Sequence, residues 1–152
     1  MAGGAVGDCW GIENQYNSYG YLELQREARY GTGSLEQVYY QVTAMDVFGN
    51  VTHFTQKDGD IATVKAFDSV TGLVTGITAT ANGIAIQDST YTFDNLGNLR
   101  SRSNHTLQSG AGQSETFDYD SVNRLTRVNG VKQVQYYANG NIKTTLTRCG
   151  GY

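Results

Sequence analysis

The sequence predicts an all-β chain of antiparallel β-hairpins stacked side by side, and three observations carry that expectation. Composition is the first: 152 residues hold no proline, 19 glycines and 11 tyrosines, while helix-favouring runs of Ala, Leu, Glu and Lys are nearly missing. Strand-like alternation is the second, as in Gln37-Val38-Tyr39-Tyr40-Gln41-Val42 and Ile61-Ala62-Thr63-Val64-Lys65-Ala66-Phe67. The third is a short phrase found six times: an aromatic or Met, then Asp, Asn or Tyr, two free positions, Gly or Asn, a variable residue and an aliphatic.

The copies start at residues 16, 45, 67, 93, 119 and 136, so their intervals run from 17 to 29 residues, a spread that suits repeated hairpins with loops of varying length. The phrase is a turn. Asp at its first position can accept hydrogen bonds from backbone two residues ahead, and Gly or Asn at the fourth tolerates positive φ. The expected turn residues are Asp46 with Gly49, Asp68 with Gly72, Asp94 with Gly97, Asp120 with Asn123, and Asn139 with Gly140. In a type I turn followed by a left-handed bulge residue, Asp94 pairs with Asn98 and Phe93 stands opposite Leu99, with Tyr91 and Ser101 continuing that face. The same construction sets Tyr16 against Leu22, Met45 against Val51, Tyr119 against Leu125 and Tyr136 against Ile142. Phe67 and Val74 flank the third copy, which carries one inserted residue. A lone two-stranded hairpin is marginal in water, so these units must stack to cover their aromatic–aliphatic pairs.

Along the chain, residues 1–15 fit no copy and are Gly-rich around Trp10, which predicts a flexible leader or the remnant of an upstream repeat. The repeat sheet is expected over 16–148. Leu22 to Arg29 reads as a strand, because Leu22 and Leu24 alternate and Glu23 and Glu27 would repel at helical spacing. Gly31-Thr32-Gly33-Ser34 is a loop, while Asp58-Gly59 and Asn82-Gly83 are hairpin signals. His105 to Gln113 is the longest polar connection, and residues 149–152 abandon the frame as a truncated tail.

Phe117-Asp118-Tyr119-Asp120-Ser121-Val122-Asn123-Arg124-Leu125-Thr126 and Gln135-Tyr136-Tyr137-Ala138-Asn139-Gly140-Asn141-Ile142 resemble the YD repeats of the Rhs family, shared with the B and C components of insecticidal toxin complexes and with teneurins. The resemblance covers about Tyr16 to Lys143, with departures where Asn17 and Tyr137 replace the usual Asp and Asn123 replaces Gly. It implies an antiparallel sheet that curves and spirals into a hollow shell, which in bacterial members encloses a toxic C-terminal region and in teneurins supports cell-surface adhesion. About twelve strands at roughly 4.8 Å spacing would span on the order of 58 Å, a strip of wall too short to close a cavity. The family's core segment with its self-cleavage residues has no counterpart here, so the resemblance carries over a structural role and no catalytic residue.

Other functions find little footing in the residues. A formal net charge of −3 and the absence of clustered Lys and Arg argue against nucleic-acid binding. Arg100 and Arg102 share a strand face and read as solvated edge charges. No apolar run is long enough to span a membrane as a helix, and Met1 to Trp10 lacks the features of a signal peptide. Cys9 and Cys149 have no metal or redox spacing and read as isolated thiols. His53, expected to continue the Met45/Val51 face, and His105 lack catalytic partners, Asp120 is committed to its turn rather than to an acid pair with Asp118, and no cofactor or metal is expected. Asn50-Val51-Thr52 and Asn104-His105-Thr106 are formal glycosylation sites that matter only in a eukaryotic secretory context.

The expected function is therefore a non-catalytic shell-wall segment of a larger bacterial protein, secreted or at the cell surface. Its partners would be the remaining shell and an enclosed toxin region, with self-association through open sheet edges. The alternative is an adhesion module whose exposed Tyr and Asn contact glycan or protein.

Overall fold

The structure, a computed structural model, describes residues 9–30, 37–106 and 112–145. Thirteen strands and no helix occur among them. They are β1 (Cys9–Tyr16), β2 (Leu22–Tyr30), β3 (Val38–Met45), β4 (Val51–Gln56), β5 (Ile61–Phe67), β6 (Val74–Ala81) and β7 (Ile84–Phe93). There follow β8 (Leu99–Asn104), β9 (Gln113–Tyr119), β10 (Leu125–Val128), β11 (Val131–Lys132), β12 (Val134–Tyr136) and β13 (Ile142–Thr145).

Two compact units divide the described residues. The first runs through Phe67 and adds Ile77–Ile86, the turn end of the β6–β7 hairpin. The second comprises Asp68–Gly76 and the residues from Gln87 onward. Within each unit strand order follows chain order, and β12 pairs with β13 as a separate two-stranded ribbon. Every pairing with a defined register is antiparallel.

In a chain-order meander successive connections alternate between strand ends. The phrase turns therefore fall at one end of the strands in each unit and the remaining connections at the other. That second row uses left-handed backbone at Lys57, Asp58 and Gly59, at Asn82-Gly83 and at Asn129-Gly130. Two of its turns are clasped to the strand beside them. Asp58 N–H donates to Val38 C=O at 2.8 Å while its carboxylate accepts from Val38 N–H at 2.6 Å, and Asn129 repeats the arrangement with Thr116 at 2.9 and 2.8 Å.

Burial is shallow among the described residues of both units. The buried residues are Ala79, Thr63 and Ser89, all small, and no large side chain is fully enclosed among the described residues. Apolar cover comes instead from local clusters such as Tyr40 against Phe54, ring centroids 5.3 Å apart, with Lys65 Nζ 5.3 Å from the Phe54 centroid.

Several expectations are corrected. Residues 9–15 are strand paired with β2, not a flexible leader, so the sheet begins upstream of Tyr16. Arg102 lies on β8, an inner strand between β7 and β9, where Glu115 and the Phe117 ring engage it. It is not an edge charge. A bulge at Arg100 makes Arg102, rather than Ser101, the partner of Tyr91, and a bulge at Thr52 sets His53 against Ala44. The Gly31–Ser34 loop, Cys149 and the 149–152 tail lie outside the described residues.

Candidate functional site

The phrase turns are the most regular feature of the molecule. In five of them the N–H at the fourth turn position donates to the C=O of the first: Gly20 to Asn17, Gly49 to Asp46, Gly97 to Asp94, Asn123 to Asp120 and Gly140 to Tyr137, at 2.9–3.1 Å. A second bond closes each loop, from the first-position N–H to the C=O four residues on, at 2.8–3.0 Å. The fourth position is left-handed in all five, with φ of +83° at Gly97 and +62° at Asn123. The third copy absorbs its inserted residue by bonding Gly72 N–H to Asp68 C=O and Asp68 N–H to Leu73 C=O, with Phe67 and Val74 flanking the turn.

The first-position side chain caps the turn. Asp46 Oδ1 accepts from the N–H groups of Phe48 and Asn50, Asp94 Oδ1 from Leu96 and Asn98, and Asp120 Oδ1 from Val122 and Arg124, at 2.9–3.1 Å. The other oxygen takes a side-chain donor: Asn50 Nδ2, Asn98 Nδ2 or Arg124 Nε. These side-chain donors, with the backbone donors behind them, hold the Asp46, Asp94 and Asp120 carboxyls below the usual range. In Asp68 the Thr71 N–H is the leading cause of the same lowering. Asn17 keeps both backbone bonds through its amide oxygen, from Tyr19 and Tyr21, so its substitution for Asp costs no capping. Tyr137 cannot cap, and there Asn139 Oδ1 accepts from Asn141 N–H instead.

Each turn places its flanking residues in direct register. Tyr16 faces Leu22, Met45 faces Val51, Phe93 faces Leu99, Tyr119 faces Leu125 and Tyr136 faces Ile142. One residue beyond each aliphatic the register slips, leaving Glu23, Thr52, Arg100, Thr126 and Lys143 as extra residues on the returning strand. A bulge there reverses the later side-chain alternation and raises local twist.

Neighbouring copies are tied by side chains that the sequence reading passed over. Tyr119 Oη donates to Leu99 C=O and Tyr136 Oη to Leu125 C=O, both at 3.0 Å, so the aromatic of one copy holds the aliphatic of the copy before it. Asn98 Nδ2 donates to Asn123 Oδ1 at 3.0 Å, and the Arg124 guanidinium sits 4.3 Å from the Tyr136 ring centroid. In the first unit the Tyr21 phenol lies over Gly49, where a Cβ would stand 3.1 Å from its Oη. The available signal was Tyr rather than Phe at the phrase's first position.

Reactive groups are scattered. His53 is exposed with its Nδ1 3.0 Å from Thr52 Oγ1, and His105 Nδ1 is 3.8 Å from Asp88 Oδ2 on the surface. No group of three or more His, Cys, Asp or Glu able to hold a metal occurs among the described residues.

No protein-family profile and no curated protein matches the chain. Solved structures do. The crystal structure of TcdB2-TccC3-Cdc42 superposes with a TM-score of 0.65 at 18% identity over 90% of this chain. TcdB2-TccC3 without its hypervariable C-terminal region gives 0.66 at 19% over 88%, and TcdB2-TccC3 gives 0.64 at 18% over 90%. This chain spans 7% of the length of each of those chains. They are toxin-complex proteins of the Rhs/YD-shell kind, and the antiparallel hairpin array described above is the YD-repeat fold that they contain.

Proposed function

We propose that this chain is a wall segment of a YD-repeat β-shell within a larger bacterial protein, exported or at the cell surface, which encloses or displays a toxin region. The segment's task is mechanical, and it performs no catalysis of its own. The observation that carries this reading is the pair of inter-copy bonds from Tyr119 to Leu99 and from Tyr136 to Leu125, which make the fourth, fifth and sixth hairpins successive supports. Its partners are further repeats of the same frame and the enclosed region. An adhesion role toward glycan or protein is a second reading, favoured by exposed aromatic side chains at the first two turns.

The coding sequence on both sides of this segment tests the wall reading. Further copies of the turn frame, at the 17- to 29-residue intervals seen here, are expected. Accumulation of the 152-residue chain alone in cells, with stop codons flanking it, overturns the proposal.

A further inference from the structure

Three connections opposite the phrase turns carry a left-handed residue followed by glycine, Asp58-Gly59, Asn82-Gly83 and Asn129-Gly130, and they differ in what holds the first side chain. In all three that residue's backbone N–H donates to the C=O of a neighbouring segment: Asp58 to Val38, Asn82 to Asp60 and Asn129 to Thr116, at 2.8–3.0 Å. In two of them the side chain accepts in return from the N–H of the same partner, Val38 at 2.6 Å and Thr116 at 2.8 Å. Asn82 has no return bond. The N–H of Asp60 is already spent on Lys57 C=O, at 3.0 Å, in closing its own turn. The residue that accepts from Asn82 therefore has no donor to give back, and the Asn82 side chain makes no hydrogen bond among the described residues.

An asparagine that precedes glycine can react with its own backbone. The glycine nitrogen attacks the side-chain Cγ, a C–N bond forms, the Cγ–Nδ2 bond breaks, and the nitrogen's proton leaves with Nδ2 as ammonia. Water then opens one or other carbonyl of the resulting succinimide ring, giving aspartate or an isoaspartate whose main chain runs through the former side chain. Glycine suits the step because it has no side chain to hinder the approach. The step requires a side chain free to rotate and a backbone nitrogen free to attack. Asn82-Gly83 offers both: Gly83 N–H donates no hydrogen bond among the described residues, and a Cβ on Gly83 would meet nothing within 4 Å. The other two Asn-Gly pairs are restrained. Asn129 is held through its side chain by Thr116, while Gly140 N–H donates to Tyr137 C=O at 3.0 Å and Asn139 Oδ1 accepts from Asn141 N–H. Access to water does not separate the three pairs, because all are exposed.

From this contrast we infer that Asn82 is a site of spontaneous covalent modification, converting through a succinimide with Gly83 to aspartate and isoaspartate, while the fold shields Asn129 and Asn139. Conversion adds one negative charge to the formal −3. The isoaspartyl form also inserts a methylene carbon into the two-residue connection between β6 and β7, at the residue that ties this turn to Asp60. The inference goes beyond the wall reading and does not draw on it.

Incubation of the full chain at mildly alkaline pH, followed by peptide mass mapping with chromatographic separation of the aspartyl and isoaspartyl forms, tests it. In the folded chain Asn82 is expected to convert at least about fivefold faster than Asn129 or Asn139, the ratio set by one retained hydrogen bond. In the chain unfolded by guanidinium the three pairs should convert at similar rates, because the dipeptide alone then governs them. Asn82→Gly retains a residue suited to positive φ and lacks the reacting amide, so the first acidic species on ion exchange of the intact chain should disappear. Equal rates at the three pairs in the folded chain overturn the inference, as does a rate ratio that unfolding leaves unchanged. Undiminished formation of the acidic species by Asn82→Gly overturns it as well. None of these outcomes bears on the wall reading, which the flanking coding sequence decides.

Discussion

At the scale of single residues, the turns separate two demands that a hairpin makes: a backbone that turns left-handed and a side chain that caps. Gly97, at φ +83°, meets the first, and a Cβ there would find only Leu73 Cδ1 at 4.0 Å, so space is not what excludes a side chain. The cost of Gly97→Val is conformational, about 1–2 kcal/mol for forcing a β-branched residue into the left-handed region. Gly97→Asn should cost less, because Asn123 holds the same position at φ +62° in the next copy. Thermal denaturation and amide exchange at Phe93 and Leu99 check the order glycine, asparagine, valine. An unchanged Gly97→Val variant contradicts the turn argument.

The caps make the opposite prediction, about charge. Asp46, Asp68, Asp94 and Asp120 all have lowered carboxyl pKa values in the folded chain, through their turn donors. A group whose folded pKa lies below its unfolded one contributes stability that is fully present above the unfolded value, near pH 4, and lost as pH falls through the folded value. The chain should therefore destabilise on acidification below about pH 4. Replacing all four by Asn should flatten that dependence while keeping the backbone caps, since Asn17 already supplies both bonds as a neutral amide. Equal slopes of stability against pH for the two proteins between about pH 6 and pH 3 would refute this account.

At the scale of the hairpin, sequence and structure part at a definite point. Turn positions and the facing pairs are legible because both follow from local chemistry: an Asp that caps, a Gly or Asn that turns left-handed, and a loop length that fixes which residues oppose. The bulge one residue further on is not legible. Glu23, Thr52, Arg100, Thr126 and Lys143 are polar, as are many ordinary strand residues, so nothing in their side chains announces an extra residue. Face assignments on the returning strand beyond the bulge fail for that reason, which is how Ser101 was placed on the Tyr91 face and His53 on the Met45/Val51 face.

The same scale holds the bonds between copies, and they can be weighed singly. Tyr119→Phe removes the hydroxyl that reaches Leu99 C=O and leaves the ring, so it should cost about 1 kcal/mol. Tyr136→Phe should cost a similar amount through Leu125 C=O. The loss should register as faster amide exchange at the junction of the two copies. If both variants melt with the unaltered chain, ring packing alone joins the copies and the hydroxyls are incidental.

At the scale of the whole molecule, stacking gives an inner strand a partner on either side and leaves an outermost strand with only one. Among the described residues β1 pairs with β2 and with no other strand, leaving a row of backbone donors and acceptors without a strand partner. Trp10, Ile12 and Tyr16 alternate along that strand and are more than half exposed, so the edge combines hydrogen-bonding capacity with apolar surface. The strand's charged residue, Glu13, is paired with Arg26, which leaves the Trp10–Ile12–Tyr16 stripe without a charge or a proline to block pairing. In a longer shell the position would be covered by a neighbouring hairpin. Separated from one, the chain should associate, with a sedimentation mass that rises with concentration. Ile12→Lys places a charge at the centre of the exposed stripe and should shift the population toward monomer without lowering stability by more than a few tenths of a kcal/mol. A concentration-independent monomer for the unaltered chain would mean that the outer edge of β1 is already protected, and the proposed wall role would then need a different docking place for the next hairpin.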